Sequence, residues 1–172
     1  MQRSLASLTP PEVLQVAISI EDRNAELYRH FADMFTEFGD QESLEIASVF
    51  WEMAVEERGH SGQLRGRYAE LYGDLASGMT EQESVELIEV PKLDVGEVFG
   101  SAADGVPGRV RAMNVALQAE MGAQQFYRKL VQQTPPGLLC DIFVYLAQVE
   151  DDHVRYLQDK LARYKAVESS AP

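Results

Sequence analysis

Apolar residues recur along most of the chain at spacings of three and four, the period of a helix with one buried face, and strand-like alternation is nearly absent. The pattern predicts four long helices, over about 10–38, 41–72, 107–133 and 135–165. The first opens on Thr9-Pro10-Pro11-Glu12, a capping-box spacing with proline in the first turn, where its missing N–H costs nothing. Gly39-Asp40 turns the chain into the second helix, whose apolar stripe reads Leu44, Ala47, Phe50, Trp51 and Ala54 and which stops at Tyr72-Gly73. Residues 74–106 are rich in Gly, Ser and Pro, with one short helical candidate, Glu81 to Ile88, behind a Thr80-to-Glu83 box. Thr134-Pro135-Pro136-Gly137 separates the third helix from the fourth, and the tail from Ala166 is expected to fray. Short loop, long crossover, short loop implies two antiparallel helix hairpins, an all-α four-helix bundle in a single domain spanning 1–172.

Four glutamates break the apolar faces of these helices. Glu21 follows Val16, Ala17 and Ile20, and Glu120 follows Ala116, Leu117 and Ala119. Glu57 lies among Phe50, Met53 and Leu64, and Glu150 among Phe143, Leu146 and Leu157. A charge on a core face is costly unless it is paired or bound to metal. Glu57 and Glu150 each begin a Glu-x-x-His pair, with His60 and His153. Residues three apart lie about 60° apart around a helix, so carboxylate and imidazole share a quadrant and can hold one ion between them.

The two halves repeat. Glu21 is followed seven residues on by Tyr28-Arg29, and Glu120 at the same offset by Tyr127-Arg128. Leu64 and Leu157 also fall at one offset from Glu57 and Glu150. A duplicated hairpin would bring six ligands together: Glu21, Glu57, His60, Glu120, Glu150 and His153. Four carboxylates balance the charge of two divalent cations, and the imidazoles cap the outer positions. Tyr28 and Tyr127 read either as core residues with satisfied hydroxyls or as groups next to the ligands. Glu56 and Asp151, which adjoin ligands, read as solvated or as partners of the ligand imidazoles. His30 lies about half a turn from Glu21's face and reads as a surface residue. Gly59 and Gly62 weaken the helix beside the site, for close packing or a bulge.

Charge narrows the partners. With 15 basic and 28 acidic residues the net charge is −13, which argues against nucleic acid and anionic membranes. The single cysteine, Cys140, excludes an internal disulfide and an intramolecular Cys₄ site, and it reads as a small core residue. No signal-like stretch precedes Pro10, and no run approaches the roughly 18 apolar residues of a membrane span, so the expected setting is cytoplasmic.

With these residues laid out, the chain resembles the rubrerythrin branch of the ferritin-like superfamily. The stretches Val16-Ala17-Ile18-Ser19-Ile20-Glu21 through Tyr28-Arg29 and Phe31-Ala32, and Val49-Phe50-Trp51-Glu52-Met53-Ala54-Val55-Glu56-Glu57 with His60, Leu64 and Tyr68, are similar to the ferritin-like domain of the erythrin–vacuolar iron transporter (membrane-bound ferritin) family. The resemblance implies two iron ions per chain, with carboxylates shifting between bridging and terminal modes as the iron changes oxidation state. It also implies reaction with dioxygen or hydrogen peroxide as a ferroxidase or peroxidase in iron handling and oxidant defence, with an external electron donor for peroxidase turnover. Two departures stand out. Members of that transporter family continue into a membrane domain, whereas this sequence stops at Pro172. Rubrerythrins carry a further glutamate one turn after the third-helix ligand, where this chain has Ala123 with Gln124 beside it, and a rubredoxin module that one cysteine cannot build. The set of four glutamates and two histidines is closer to bacterioferritin and manganese catalase. Three other functions compete: iron storage without catalysis, peroxide disproportionation with manganese, and a metal-free helical interaction module. The expected assembly is a homodimer.

Overall fold

The computed structural model describes residues 5–74 and 107–169. Among them are a 3-10 turn at Leu5–Ser7 and four long helices, with no strand: α1 (Pro10–Phe38), α2 (Gln41–Tyr72), α3 (Gly108–Gln133) and α4 (Leu138–Ser169). The candidate short helix from Glu81 to Ile88 and the crossover around it lie outside the described residues. The chain is all-α, and it divides into two compact units, Met1–Glu89 and Val90–Pro172, each holding one helical hairpin. No described helix is long and apolar enough to cross a membrane.

Local chemistry sets the helix ends. At the start of α1 the Glu12 carboxylate accepts from the Thr9 backbone N–H and hydroxyl, each at 2.8 Å. Gly39 takes φ 72°, the left-handed conformation that closes α1 without a Cβ clash. Asp40 then caps α2, accepting from the Ser43 N–H at 3.0 Å and the Ser43 hydroxyl at 2.6 Å. Gly73, at φ 79°, donates its N–H to Ala69 and ends α2.

The fourth helix departs from expectation at both ends. It begins at Leu138 rather than 135, because Pro136 disfavours helical geometry at Pro135 and Gly137 sits at φ 152°. It continues to Ser169 rather than 165, since Ala166-Val167-Glu168 contains no breaker and the next proline is Pro172.

In the first hairpin, Leu14, Ala17, Ile20, Phe31 and Phe35 on α1 and Ile46, Phe50, Met53 and Leu64 on α2 are buried. Phe50 is the pivot, with ring centroids 5.1 Å from Phe31 and 6.1 Å from both Phe35 and Tyr28. The stripe expected on α2 is displaced at two positions: Leu44 is 41% and Trp51 53% exposed. Trp51 is rotated about 100° from Phe50, so a face centred on Phe50 and Glu57 turns it outward. In the second hairpin, Val110, Met113, Ala116 and Leu130 on α3 and Phe143, Leu146, Leu157 and Leu161 on α4 are buried. Leu64 and Leu157, paired by the sequence repeat, are both fully buried. Cys140 is half-buried in the first turn of α4 rather than a core residue.

Gly59 and Gly62 are exposed on an uninterrupted α2, and a Cβ added at either meets nothing within 4 Å. Neither supports close packing or a bulge among the described residues. Gly59→Ala and Gly62→Ala should therefore each raise stability by about 1 kcal/mol through helix propensity. Urea denaturation measures this, and a loss of stability would mean that another surface covers this face.

Candidate metal centre

Each hairpin builds a buried triad from one lone glutamate and one Glu-x-x-His pair. In the first, α1 contributes Glu21 and α2 contributes Glu57 and His60; the two carboxylates have no exposed surface and the His60 side chain is 8% exposed. His60 Nδ1 lies 3.4 Å from a Glu21 oxygen and 3.8 Å from a Glu57 oxygen. One ligand atom from each of the three falls within 4.8 Å of the other two. In the second, α3 contributes Glu120 and α4 contributes Glu150 and His153, again with both carboxylates fully buried. His153 Nδ1 is 3.3 Å from a Glu120 oxygen, and this triad meets the same 4.8 Å limit. The near-identical contacts, His60 to Glu21 and His153 to Glu120, reproduce in three dimensions the repeat read along the chain.

These distances suit a cation. Donors bound to one ion at roughly 2.0–2.2 Å stand about 3–4 Å apart, so the triads need only small side-chain adjustments to close on a metal. Hard carboxylate oxygens with imidazole nitrogen favour iron, manganese or zinc over sites built from thiolates. The donors present therefore fit the metal-binding role expected of them.

Without an ion, a proton offsets part of the charge. Burial pushes the His60 pKa down, but the Glu21 and Glu57 carboxylates beside it outweigh that effect and raise it to about 9. A cation entering this triad must displace that proton.

Two aspartates next to candidate ligands brace the triads from outside. Asp22 on α1 accepts from Arg58 at 3.1 Å, from the Ser61 hydroxyl at 2.7 Å and from Arg65, all on α2. Two of these donors directly follow the candidate ligands Glu57 and His60 in sequence, so the clasp fixes the register of α1 on α2 at the triad. In the second hairpin the polarity is reversed. Asp151 on α4 accepts from Gln124 at 2.7 Å and Arg128 at 2.8 Å, both on α3.

Asp151 therefore pins α3 to α4 and is not a partner of a ligand imidazole, as the sequence had allowed, while Glu56 is exposed. Tyr28 and Tyr127 are fully buried and pack against Phe50 and Phe143, with ring centroids at 6.1 and 6.3 Å. His30 is exposed, as its helix position predicts. Ala123 is buried, and Gln124 is engaged by Asp151. Sequence reasoning missed Asp22, Ser61 and Asn24. The first two adjoin ligands and carried that signal; Asn24, one turn beyond Glu21 on the buried face, carried its own as a polar residue in a core stripe.

In protein stripped of metal, the NMR titration of His60 should give a pKa near 9 against 6.5 for an unperturbed histidine. Because the folded value is raised, its contribution to stability is complete below pH 6.5 and disappears as pH rises through about 9. The stripped protein's advantage over His60→Gln should follow that course, and an ordinary His60 pKa would contradict the triad's geometry.

A model of the family described as Rubrerythrin matches residues 12–98, just over half of the chain. The match includes Glu21, Tyr28, Glu57 and His60 and stops before α3. No curated protein and no solved structure matches the chain.

Proposed function

Because the chain belongs to the rubrerythrin family, we propose that its two triads together hold a pair of iron ions and that the protein is a di-iron oxidoreductase. The ligands are Glu21, Glu57, His60, Glu120, Glu150 and His153. The observation that carries this reading is the duplicated triad, with four wholly buried glutamates each beside a histidine or its partner carboxylate. Bound there, two Fe(II) ions would supply two electrons, enough to reduce hydrogen peroxide with two protons to two waters, or dioxygen to peroxide.

The chain's own groups do the rest. The four carboxylates bind and neutralise the cations, and the imidazoles enter as neutral ligands once the His60 proton has left. Phe50 beside Tyr28, and Phe143 beside Tyr127, add buried apolar packing two turns along the helices that carry the ligands. Asp22 and Asp151 keep the ligand-bearing helices in register. Within the family, the sequence around Glu21 and Glu57 favours likeness to the ferritin-like domain of the erythrin–vacuolar iron transporters. Buried Ala123, in place of a further carboxylate, favours a six-ligand centre and a ferroxidase over a peroxidase. The same donors admit manganese, and peroxide disproportionation by the manganese-loaded protein without added reductant would identify that chemistry. A homodimer is the assembly we expect, and iron storage would instead require a closed shell.

Anaerobic titration should saturate near two Fe(II) per chain, and stopped-flow mixing should show faster oxidation by dioxygen than by peroxide. Loading should raise the melting temperature, because only the folded state holds the ions. Glu57→Gln with Glu150→Gln should abolish binding while leaving the metal-free fold as stable or more so, since two buried charges are removed. No iron uptake, or an unchanged melting point on loading, would count against this function.

A further inference from the structure

Asn24 is 1% exposed on α1, and its side-chain nitrogen has no hydrogen-bond partner among the described residues. A buried amide left unpaired is disfavoured and rare in folded proteins. Its neighbours one turn away on α1 are Ile20, Glu21, Leu27 and Tyr28, all buried, and only Glu21 among them is charged. Side chains on a helix lean toward its N-terminus, so Asn24 leans over the turn that carries Glu21. The duplicated position, three residues after Glu120, is the buried Ala123, which has no donor. Within the repeat, α1 thus carries an amide where α3 carries a methyl group.

An –NH₂ donor is not a metal ligand; it recognises an acceptor. From this placement we infer that Asn24 donates a hydrogen bond to a small oxygen- or nitrogen-donor molecule entering the centre, such as water, peroxide or azide, and holds it on the Glu21 side. The inference rests on the di-iron reading above. Asn24 is then a positioning residue for the exogenous ligand, and the centre captures that ligand unevenly despite its duplicated protein ligands. Leucine is close to asparagine in size, so Asn24→Leu removes the donor and preserves packing.

The test is azide binding to aerobically iron-loaded protein, followed by its charge-transfer absorption, with iron counted per chain and melting measured after iron removal. Asn24→Leu should keep the wild-type iron count and bind azide about tenfold more weakly, as expected for loss of one hydrogen bond to an anion. After iron removal it should melt at or above the wild-type temperature, because no bond within the protein is lost. Asn24→Ala should weaken azide binding in the same way. Unchanged azide affinity at full iron content would overturn the inference. So would a lost iron, which would mean that Asn24 ligates through its amide oxygen, or a lower melting point of the stripped Asn24→Leu protein, which would make it a structural residue. The wild-type iron count reads the metal centre separately: if wild-type takes up no iron, that reading fails and this one fails with it.

Discussion

Four glutamates with no solvent exposure dominate the energetics of this protein. Removing a carboxylate from water costs several kcal/mol unless an opposite charge goes with it. Each hairpin answers with one histidine per pair of glutamates, and in the first a proton held by His60 to about pH 9 supplies part of the missing positive charge. One imidazolium cannot balance two carboxylates, so the first triad remains short of positive charge until a cation arrives. Hairpins built this way hold buried acidic clusters at a stability cost that a helical interaction module would have no reason to bear.

The rest of each hairpin keeps that arrangement in place. Phe50 and its aromatic neighbours pack one side of the first triad's helices, and Tyr127 with Phe143 does so in the second. At the surface, Asp22 and Asp151 tie the helices together within a residue of a ligand. The clasps run in opposite directions, from the lone-glutamate helix in one hairpin and from the Glu-x-x-His helix in the other. The two hairpins share the Glu/Glu/His set and the contact between histidine and glutamate, whereas their bracing differs. Exposed ion pairs of this kind each contribute little, about 0–1 kcal/mol, and their value here is register.

The helices, and the side chains that cluster in the two buried triads, were legible because periodicity and the duplicated spacing are local signals. Helix ends were legible where glycine or a cap decided them, at Gly39, Asp40 and Gly73. They were less so where two prolines and Gly137 compete for the start of α4. Trp51 was misplaced because a 3.6-residue period blurs adjacent positions, and only packing chose Phe50 for the interior. Asp151 and Gln124 could not be paired from sequence, since nothing local fixes how α3 sits on α4. The family match covers the first hairpin, and the second triad stands on the internal repeat and on its own geometry.

We propose that six side chains, three from each hairpin, hold two irons as one coupled centre. Low-temperature Mössbauer spectroscopy of protein loaded with ⁵⁷Fe(II) and oxidised in air tests it most directly. Two ferric ions held in one centre would couple antiferromagnetically, so a small applied field should leave quadrupole doublets from a diamagnetic ground state that account for nearly all the iron. A magnetically split spectrum of isolated high-spin Fe(III) would contradict the account and leave two separate mononuclear triads.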